Sequence, residues 1–398
     1  MKRGNIKISP ITPDPAVISY ILSDQVRAHC AGVYRMLPKA KVRCYLIEGL
    51  TSYEANILKQ ECLSVGADLA ISREAILKNR KNEKTLLLAT EKQLLRILNK
   101  IRDQRFSGFE ELVGIFDAKI NTPVWQVRSR RIELNRPILM GIINITPDSF
   151  SGDGILSLDD ALRQAEDFLA AGAEILDIGA ESSRPGAKRV SEEEEIQRLI
   201  PALKAIRKKF PKAILSVDTY KPTVAEIACK EGVDIINDIT GLRSPKMRRV
   251  VQKYGVGAVI MHMKGSPQTM QKRPLKGDVV GLVYEFLKRR VKNAVSDGIE
   301  ENRLVIDPGI GFGKKWQDNY RLLAFTSLFA SVRPVLVGAS RKSLIGFLTG
   351  AEIGGRLPGT IAVNLYAWSR GASIFRVHDV AEHQQAFRVW EELRRYSS

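Results

Sequence analysis

The stretch ILMGIINIT, residues 138–146, is the first of eight short apolar segments that alternate with amphipathic segments through the rest of the chain. Most of the eight are apolar throughout, which is typical of buried parallel strands. The segments between them have helical spacing, as in residues 192–210 and 279–297. Eight such units over about 260 residues match a (β/α)8 TIM barrel in size and period. The predicted strands are residues 138–146, 174–179, 213–218, 234–238, 257–262, 304–307, 334–338 and 373–378.

Polar side chains stand at the carboxyl ends of all eight predicted strands, the end at which barrels of this kind place their chemistry. Gly, Asn and Asp also form turns for purely conformational reasons, and turn formation alone explains Gly152 and Gly265. Turn formation does not explain why the strands end in charged residues, because such side chains would be buried at the barrel mouth without a polar partner unless a ligand contacted them. The polar set is Asn144, Thr146, Glu181, Ser183, Arg184, Asp218, Asn237, Asp238, His262, Asp307, Ser340, Arg341, Lys342, Arg376 and His378.

The first 130 residues differ from the rest, with three strand-like segments (41–50, 67–72 and 84–90) and three helix-like ones (52–65, 90–103 and 109–120). We therefore predict a small N-terminal α/β domain over 1–130 and the barrel over 137–398. Residues 124–136 are either a connector or, in part, a hairpin that closes the amino end of the barrel.

Composition limits the class of protein. The chain has 398 residues, is 44% hydrophobic and 27% charged, and carries a net charge of +18. This is an ordinary globular composition whose charge favours acidic or phosphorylated ligands. The four cysteines have no zinc-type spacing, so we expect buried free thiols. No signal peptide or membrane span is predicted, and we expect a cytoplasmic protein.

Eight strings, taken in order, resemble dihydropteroate synthase, and they cover the whole barrel. They are MGIINITPDSFSGDG (140–154), DIGAESSRPGA (177–187), SVDTYKP (216–222), IINDITG (235–241), MHMKGSPQTMQ (261–271), IDPGIGFGK (306–314), GASRKSLIG (338–346) and RVHD (376–379). The resemblance implies an enzyme that joins 6-hydroxymethyl-7,8-dihydropterin pyrophosphate to p-aminobenzoate and releases pyrophosphate.

The resemblance assigns the pterin to Asp218, Asn237, Asp307 and Lys342. Carboxylate and amide groups suit the donors and acceptors of an aminopyrimidine edge, although Arg or Lys partners elsewhere could also satisfy the carboxylates structurally. The resemblance assigns the pyrophosphate to Asn144, Arg376 and His378, with Asn144 also helping to hold Mg²⁺. Arg376 and His378 are two residues apart, so they share one face of a strand.

The resemblance assigns p-aminobenzoate to Ser183, Arg184, Pro185, Phe312 and Ser343. Ser183 stands where the family usually has threonine, so a hydroxyl is kept and a methyl contact is lost. The residues expected to take part directly in the reaction are Asn144, Asp218, Lys342, Arg376 and His378. Segments 146–154 and 181–188 are rich in Gly, Pro, Ser and Asp and are long enough to act as lids.

Two alternatives stay open at this point. One is a related pterin-binding methyltransferase barrel, against which the Ser-Ser-Arg-Pro-Gly, Gly-x-Ser-Arg-Lys and Arg-Val-His-Asp strings count. The other is an N-terminal domain that binds an acidic partner or nucleic acid, although the basic run 78–81 is typical of a solvated turn. We expect small-molecule substrates, no membrane partner and a homodimer, the family's common state.

Overall fold

The computed structural model describes residues 15–27, 29–39, 41–76, 83–104, 106–118, 123–145, 157–182, 186–187 and 189–396. The chain divides into two compact units, Met1–Asn121 with Glu391–Ser398, and Thr122–Trp390. The predicted residues Thr146, Ser183, Arg184 and Pro185 lie outside the described residues, as do the whole of segment 146–154 and the run 78–81.

The first unit is built on a three-stranded antiparallel sheet. Its strands are β1 (Val42–Leu50), β2 (Asp68–Ala70) and β3 (Glu83–Thr90), in the order β1-β3-β2. Its helices are α1 (Pro15–Tyr20), α2 (Cys30–Met36), α3 (Ser52–Ser64), α4 (Glu91–Arg102) and α5 (Ser107–Ala118). Thr51 and Thr90 begin α3 and α4 with capping boxes completed by Glu54 and Gln93. The predicted small α/β domain is confirmed.

Helices α3 to α5 cover one face of this sheet. Leu58, Leu87, Ile97 and Phe109 are almost fully buried in their shared core. Cys62 is buried, but Cys30 and Cys44 are exposed, so the expectation of buried thiols is wrong for these two. Cys44 lies on the sheet face where the alternating burial of β1 leaves side chains uncovered.

The second unit begins with a hairpin of β4 (Val124–Val127) and β5 (Arg130–Glu133). Trp125 is fully buried and belongs to an apolar cluster with residues near the amino ends of the barrel strands, such as Ile175 and Val305. Its indole Nε1 donates to the carbonyl oxygen of Arg303 at 2.8 Å. The hairpin alternative is therefore confirmed for residues 124–133.

Eight parallel strands, all within the described residues, form a closed barrel in chain order. The predicted (β/α)8 TIM barrel is confirmed. The strands are β6 (Ile138–Asn144), β7 (Ile175–Gly179), β8 (Ile214–Asp218), β9 (Ile235–Asp238), β10 (Gly257–Met261), β11 (Leu304–Asp307), β12 (Val335–Val337) and β13 (Ala372–Val377).

Helices surround the barrel and bury the outward side chains of the strands. Ser157, Ser191, Ser244 and Asp278 each accept a backbone N–H bond at a helix start, which fixes where those helices begin. The helices are α6 (Leu158–Ala170), α7 (Glu192–Lys209), α8 (Pro222–Lys230), α9 (Pro245–Tyr254), α10 (Val279–Ser296), α11 (Trp316–Ala324), α12 (Thr326–Ala330), α13 (Ser343–Thr349), α14 (Leu357–Ser369) and α15 (Val380–Arg395). Among the described helices, none has the length and apolar character needed to cross a membrane.

Candidate active site

Arg376 joins three strands at the carboxyl end of the barrel. Its Nε donates to Asp177 Oδ2 at 2.5 Å, and its Nη2 donates to Asp218 Oδ2 at 2.8 Å. Asn237 Nδ2 donates to the same Asp177 oxygen at 3.2 Å. Asp177 is fully buried and the Asp218 side chain is 12% exposed. The predicted residues Asp218, Asn237 and Arg376 therefore lie in one hydrogen-bonded cluster.

Asp307 and Lys342 belong to the same end of the barrel. A Cβ atom built on Gly338 would lie 3.9 Å from Asp307 Oδ2, Lys342 Nζ and Arg376 Cβ alike. The lack of a side chain at Gly338 thus leaves space among these three groups. Asp307 Oδ1 accepts the backbone N–H of Gly309 at 2.6 Å. The sequence prediction that Asp307 and Arg376 share one mouth is confirmed.

Burial shifts the titration of these groups. Burial raises the pKa of Asp218 to about 7, against the opposing effect of Arg376 and with a further rise from Asp177. Burial also raises the pKa of Asp307. It lowers the pKa of Lys342 to about 8, although Asp307 favours the charged amine. Perturbed acids and amines at one strand-end cluster are typical of a functional site.

Phe312 and Lys342 form the next part of the mouth. Lys342 Nζ lies 4.6 Å from the centre of the Phe312 ring, a cation–π contact, and donates to the Ile310 carbonyl at 2.5 Å. Phe312 is buried in a small apolar cluster with Ile239, Met261, Met263 and Met270. Ser343 is the exposed first residue of α13, directly after Lys342.

His378 and Asn144 lie at the ends of neighbouring strands. β13 pairs with β6, whose last residue is Asn144. His378 Nδ1 lies 2.9 Å from Ser340 Oγ, and the same hydroxyl accepts the His378 backbone N–H at 3.2 Å. Asn144 is half-buried. The geometry thus places the predicted pyrophosphate residues at the carboxyl ends of adjacent strands.

The fit of this site to Mg²⁺ depends on Asn144. Within the described part of the chain, no group of three or more His, Cys, Asp or Glu side chains could hold a metal ion. The Asn144 carboxamide is an oxygen donor of the kind that Mg²⁺ accepts, and Mg²⁺ usually takes its other ligands from water and substrate phosphates. The residues therefore fit Mg²⁺ bound mainly by a diphosphate, with Asn144 as a protein ligand.

The sequence interpretation missed three buried charged residues. Asp177 was not singled out because it lies inside an apolar strand, and the one available signal was its charge among apolar neighbours. Lys314, after β11, donates to the carbonyls of His262, Gly309 and Phe312 at 2.7–3.2 Å. Burial lowers its pKa to about 7.

The third missed residue is Lys221, at the start of α8. Its Nζ donates to Glu181 at 2.5 Å, to Glu195 at 2.6 Å and to the Val190 carbonyl at 2.6 Å. The Lys221 side chain is 4% exposed and that of Glu195 is 1% exposed. Lys221 thus connects both ends of segment 181–190 to helix α7.

The fold and these side chains define a pterin-binding barrel, and the chain matches the family described as "Pterin binding enzyme" over residues 140–378. The chain is 44% identical over 262 residues to a dihydropteroate synthase from Haemophilus influenzae, covering 65% of this chain and 95% of that protein. The structure of a Burkholderia cenocepacia dihydropteroate synthase complexed with 7,8-dihydropteroate aligns with a TM-score of 0.63 at 42% identity, covering 69% and 97% of the two chains. This chain therefore belongs to the dihydropteroate synthases.

A third relative extends beyond the barrel. A bifunctional dihydropteroate synthase/dihydropteroate reductase from Helicobacter pylori is 33% identical over 362 residues, covering 90% of this chain and 92% of that protein. Such coverage is more than the barrel unit alone could supply, so the similarity includes part of the first unit. Because the relatives are synthases, the methyltransferase alternative is set aside.

Proposed function

We propose that the carboxyl-end mouth of this barrel condenses 6-hydroxymethyl-7,8-dihydropterin pyrophosphate with p-aminobenzoate to give 7,8-dihydropteroate and pyrophosphate. The observation that carries the proposal is the convergence of Asp218, Asn237, Asp307, Lys342 and Arg376 in a chain that belongs to the dihydropteroate synthases. Five polar side chains from five β/α units have no shared structural need to meet in one place, whereas a flat heterocycle with a diphosphate tail requires them.

The pterin is held by the acidic and amide groups. Asp307 and Asp218 accept hydrogen bonds from the aminopyrimidine edge, and Asn237 offers both a donor and an acceptor. Lys342 contacts the carbonyl side of the ring. Asn237 and Asp307 are buried and Asp218 and Lys342 are partly buried, so the hydrogen bonds form largely away from water and discriminate strongly against rings that lack the matching edge.

The pyrophosphate lies toward Arg376, His378 and Asn144. Arg376 donates through Nε and Nη2 to carboxylates, and its Nη1 donates to none of the described residues. We assign that nitrogen and the His378 imidazole to the departing pyrophosphate as hydrogen-bond donors. Asn144 would hold Mg²⁺, which when bound neutralises the charge that develops on the leaving group.

p-Aminobenzoate lies against Phe312 and Ser343. The Phe312 ring would stack on the substrate ring, and Ser343 would offer its hydroxyl and backbone N–H to the carboxylate. Ser183, Arg184 and Pro185 complete this predicted pocket. Because Ser183 lacks the methyl group of the threonine that the family usually has at this position, affinity for p-aminobenzoate is the property in which we expect this chain to differ most from other family members.

The reaction is a substitution at the exocyclic methylene carbon of the pterin. The neutral aniline nitrogen attacks this carbon, the bond to the pyrophosphate oxygen breaks with its electron pair, and the new ammonium loses one proton. An aniline needs no strong base for activation. The enzyme therefore works mainly by electrostatics: Arg376 and His378 stabilise the leaving group, while Asp218 and Asp307 favour positive charge developing on the pterin.

The test is p-aminobenzoate-dependent release of pyrophosphate by the purified chain with Mg²⁺, together with detection of 7,8-dihydropteroate. We expect Arg376→Ala to lower turnover by about 10²-fold or more at saturating substrates. Arg370→Ala, which alters an arginine whose guanidinium contacts the Tyr366 ring on α14, is the matched control and should retain full turnover. Near-normal turnover of Arg376→Ala would reject its assigned role.

The first unit suggests a second activity. The relative from H. pylori that also matches part of this unit is named as a reductase as well as a synthase. We therefore propose that the whole chain also reduces 7,8-dihydropteroate. The test is anaerobic incubation of the product with NADPH or a reduced flavin and detection of tetrahydropteroate. Reduction by the full chain but not by residues 123–398 would support the proposal, and its absence under all donors would reject it.

We also propose that the chain forms a homodimer. Helices α13 and α14 both pack against α11 and expose apolar side chains, with Phe347 69%, Leu348 61% and Tyr366 41% exposed. Apolar surface of this kind is typical of association faces. Light scattering coupled to size exclusion should give twice the mass of 44.4 kDa, and Phe347→Lys should give the monomer. A monomeric wild-type chain at micromolar concentration would reject the proposal.

A further inference from the structure

Asp177 is a buried carboxylate below the mouth of the barrel. The proposed reaction assigns it no direct role. It lies in β7, is fully buried, and is in register with Ile142 on one side and Ser216 on the other. Residue 179, two positions further along the same face, is glycine. A Cβ there would lie 3.3 Å from Asp218 Cβ, so the glycine leaves room for Asp218 above Asp177.

One oxygen of Asp177 holds two of the ligand-binding side chains. Oδ2 accepts from Arg376 Nε at 2.5 Å and from Asn237 Nδ2 at 3.2 Å. A guanidinium whose Nε and Nη2 both donate to carboxylates cannot rotate about its last side-chain bonds without losing a charge-assisted hydrogen bond. The remaining nitrogen, Nη1, is thereby directed independently of any ligand.

We propose that Asp177 is a positioning residue that acts through Arg376, fixing the guanidinium so that its Nη1 meets the diphosphate and its charge stays next to Asp218. This inference rests on the proposed synthase function of the same site. Asp177 lies below the strand ends and is covered by the groups it orients, so it does not itself touch substrate. Its contribution is preorganisation, which removes the cost of ordering a long cationic side chain when substrate binds.

The electrostatics give a signature that a merely structural residue would lack. Asp218 is faced by Arg376 from β13, Asp177 from β7, Asp238 from β9 and Glu195 from α7. Arg376 lowers the pKa of Asp218, and the three carboxylates raise it. Removing the charge of Asp177 while keeping its shape should therefore let Asp218 ionise at lower pH.

The decisive variant is Asp177→Asn, studied in the full chain. We expect kcat/KM for the pterin pyrophosphate to fall by about 10- to 100-fold. The acid limb of its pH profile should shift downward by about half a unit or more. Ser216→Ala is the matched control, because Ser216 is a fully buried neighbour in register whose hydroxyl has no partner among the described residues. We expect it to keep wild-type kcat/KM and an unshifted profile.

A double-mutant cycle tests whether Asp177 acts through Arg376. Arg376→Lys keeps the positive charge but replaces the planar guanidinium, whose separate nitrogens donate hydrogen bonds to Asp177 and Asp218, with a single ammonium group. If Asp177 acts only through Arg376, the double variant should lose no more activity than Arg376→Lys alone. Additive losses, an unshifted pH profile in Asp177→Asn, or full activity of Arg376→Lys would each overturn the inference; the last holds even if Asp177→Asn fails to fold.

The proposed function fails separately from this inference. If the wild-type chain forms no 7,8-dihydropteroate, the synthase proposal is wrong. In that case calorimetric titration of wild type and Asp177→Asn with the pterin pyrophosphate alone still tests whether Asp177 prepares the site. Equal affinities would then overturn the positioning role, and affinity weakened about tenfold or more would support it.

Discussion

At the scale of single residues, the mouth combines acids and amines whose burial opposes their charge. Each group remains compatible with burial because an opposite charge lies beside it: Asp218 beside Arg376, and Lys342 beside Asp307. Burial and the neighbouring charges together bring both pKa values close to neutral pH: that of Asp218 is raised to about 7 and that of Lys342 is lowered to about 8. We therefore expect a bell-shaped dependence of kcat/KM on pH.

The basic limb of that profile should belong to Lys342. Lys342 is charged below a pH of about 8 and loses its proton above it, so recognition of the pterin carbonyl side weakens as pH rises. Lys342→Arg should extend the plateau to about pH 10, because a guanidinium keeps its proton there. The measurement is kcat/KM from pH 6 to 10. Lys209→Arg, at an exposed ion pair with Glu166, is the control and should leave the limb in place.

A basic limb that persists unchanged in Lys342→Arg would show that another group titrates there. Lys314, whose pKa is lowered to about 7, is then the first candidate. Lys314→Arg would distinguish the two lysines by the same measurement.

At the scale of elements, the loop after β11 passes very close to the end of β10. Gly309 has a φ of +70°, and a Cβ at this position would lie 1.9 Å from the carbonyl oxygen of His262. That same carbonyl accepts from Lys314 at 3.2 Å. The close approach places Asp307 and Phe312 on the mouth side of the barrel, so a glycine is required here by space as well as by conformation.

Gly309→Ala should lower the free energy of unfolding by about 3 kcal/mol or more, and it should also weaken pterin binding. Gly277→Ala is the matched control, since Gly277 also has a positive φ (+82°) but a Cβ there meets nothing within 4 Å. It should cost only about 1 kcal/mol, the strain of the backbone alone. Urea unfolding measures both changes. Equal costs would mean that the contact with His262 is readily relieved.

Lys221 connects three elements: the end of β7, helix α7 and the start of α8. Lys221→Met would leave Glu181 and Glu195 buried side by side without their cation. We expect the free energy of unfolding to fall by about 3–5 kcal/mol. Lys204→Met, which removes a 58% exposed partner of Glu231 on the surface of α7, should change it by about 0.5 kcal/mol or less.

Thermal or urea unfolding of these two variants at pH 7 makes the comparison. A loss in Lys221→Met no larger than that in Lys204→Met would show that Glu181 and Glu195 tolerate the removal of their shared cation. Their folded structure would then not depend on the lysine.

At the scale of the whole molecule, the hairpin of β4 and β5 completes the barrel unit. Trp125, Val127, Ile132 and Leu134 pack with the first interior residues of the barrel strands. Without them an apolar layer would face water at the amino end. The compact unit accordingly begins at Thr122, before the hairpin.

Two truncations test this organisation. A chain of residues 123–398 should fold cooperatively and keep synthase activity within about threefold of the full chain, since the mouth and the hairpin are both retained. A chain of residues 137–398 should be strongly destabilised, because losing a buried Trp alone costs about 3–5 kcal/mol. Circular dichroism melts and the pyrophosphate assay measure both. Equal stability of the two chains would show that the hairpin is dispensable.

The barrel and most of the mouth could be predicted because their signals are local. Buried parallel strands are apolar along their whole length, and polar residues at their carboxyl ends mark a shared edge once eight units are counted. Asp218, Asn237, Asp307, Lys342 and Arg376 were found in this way. Asp177 was not, because an acidic residue inside a strand has no local pattern that tells a site residue from a structural one.

The amino-acid sequence by itself determined the eight-unit alternation, the small α/β unit and the chemical types gathered at the strand ends, since these depend on periodicity and on residue identity. Only the tertiary structure decided that Arg376 meets Asp177, 199 residues earlier in the chain, and that Lys221 lies between two glutamates. The physical reason is closure: a cylinder brings the first and last strands together, and partners across its interior are set by strand tilt and register rather than by distance along the chain.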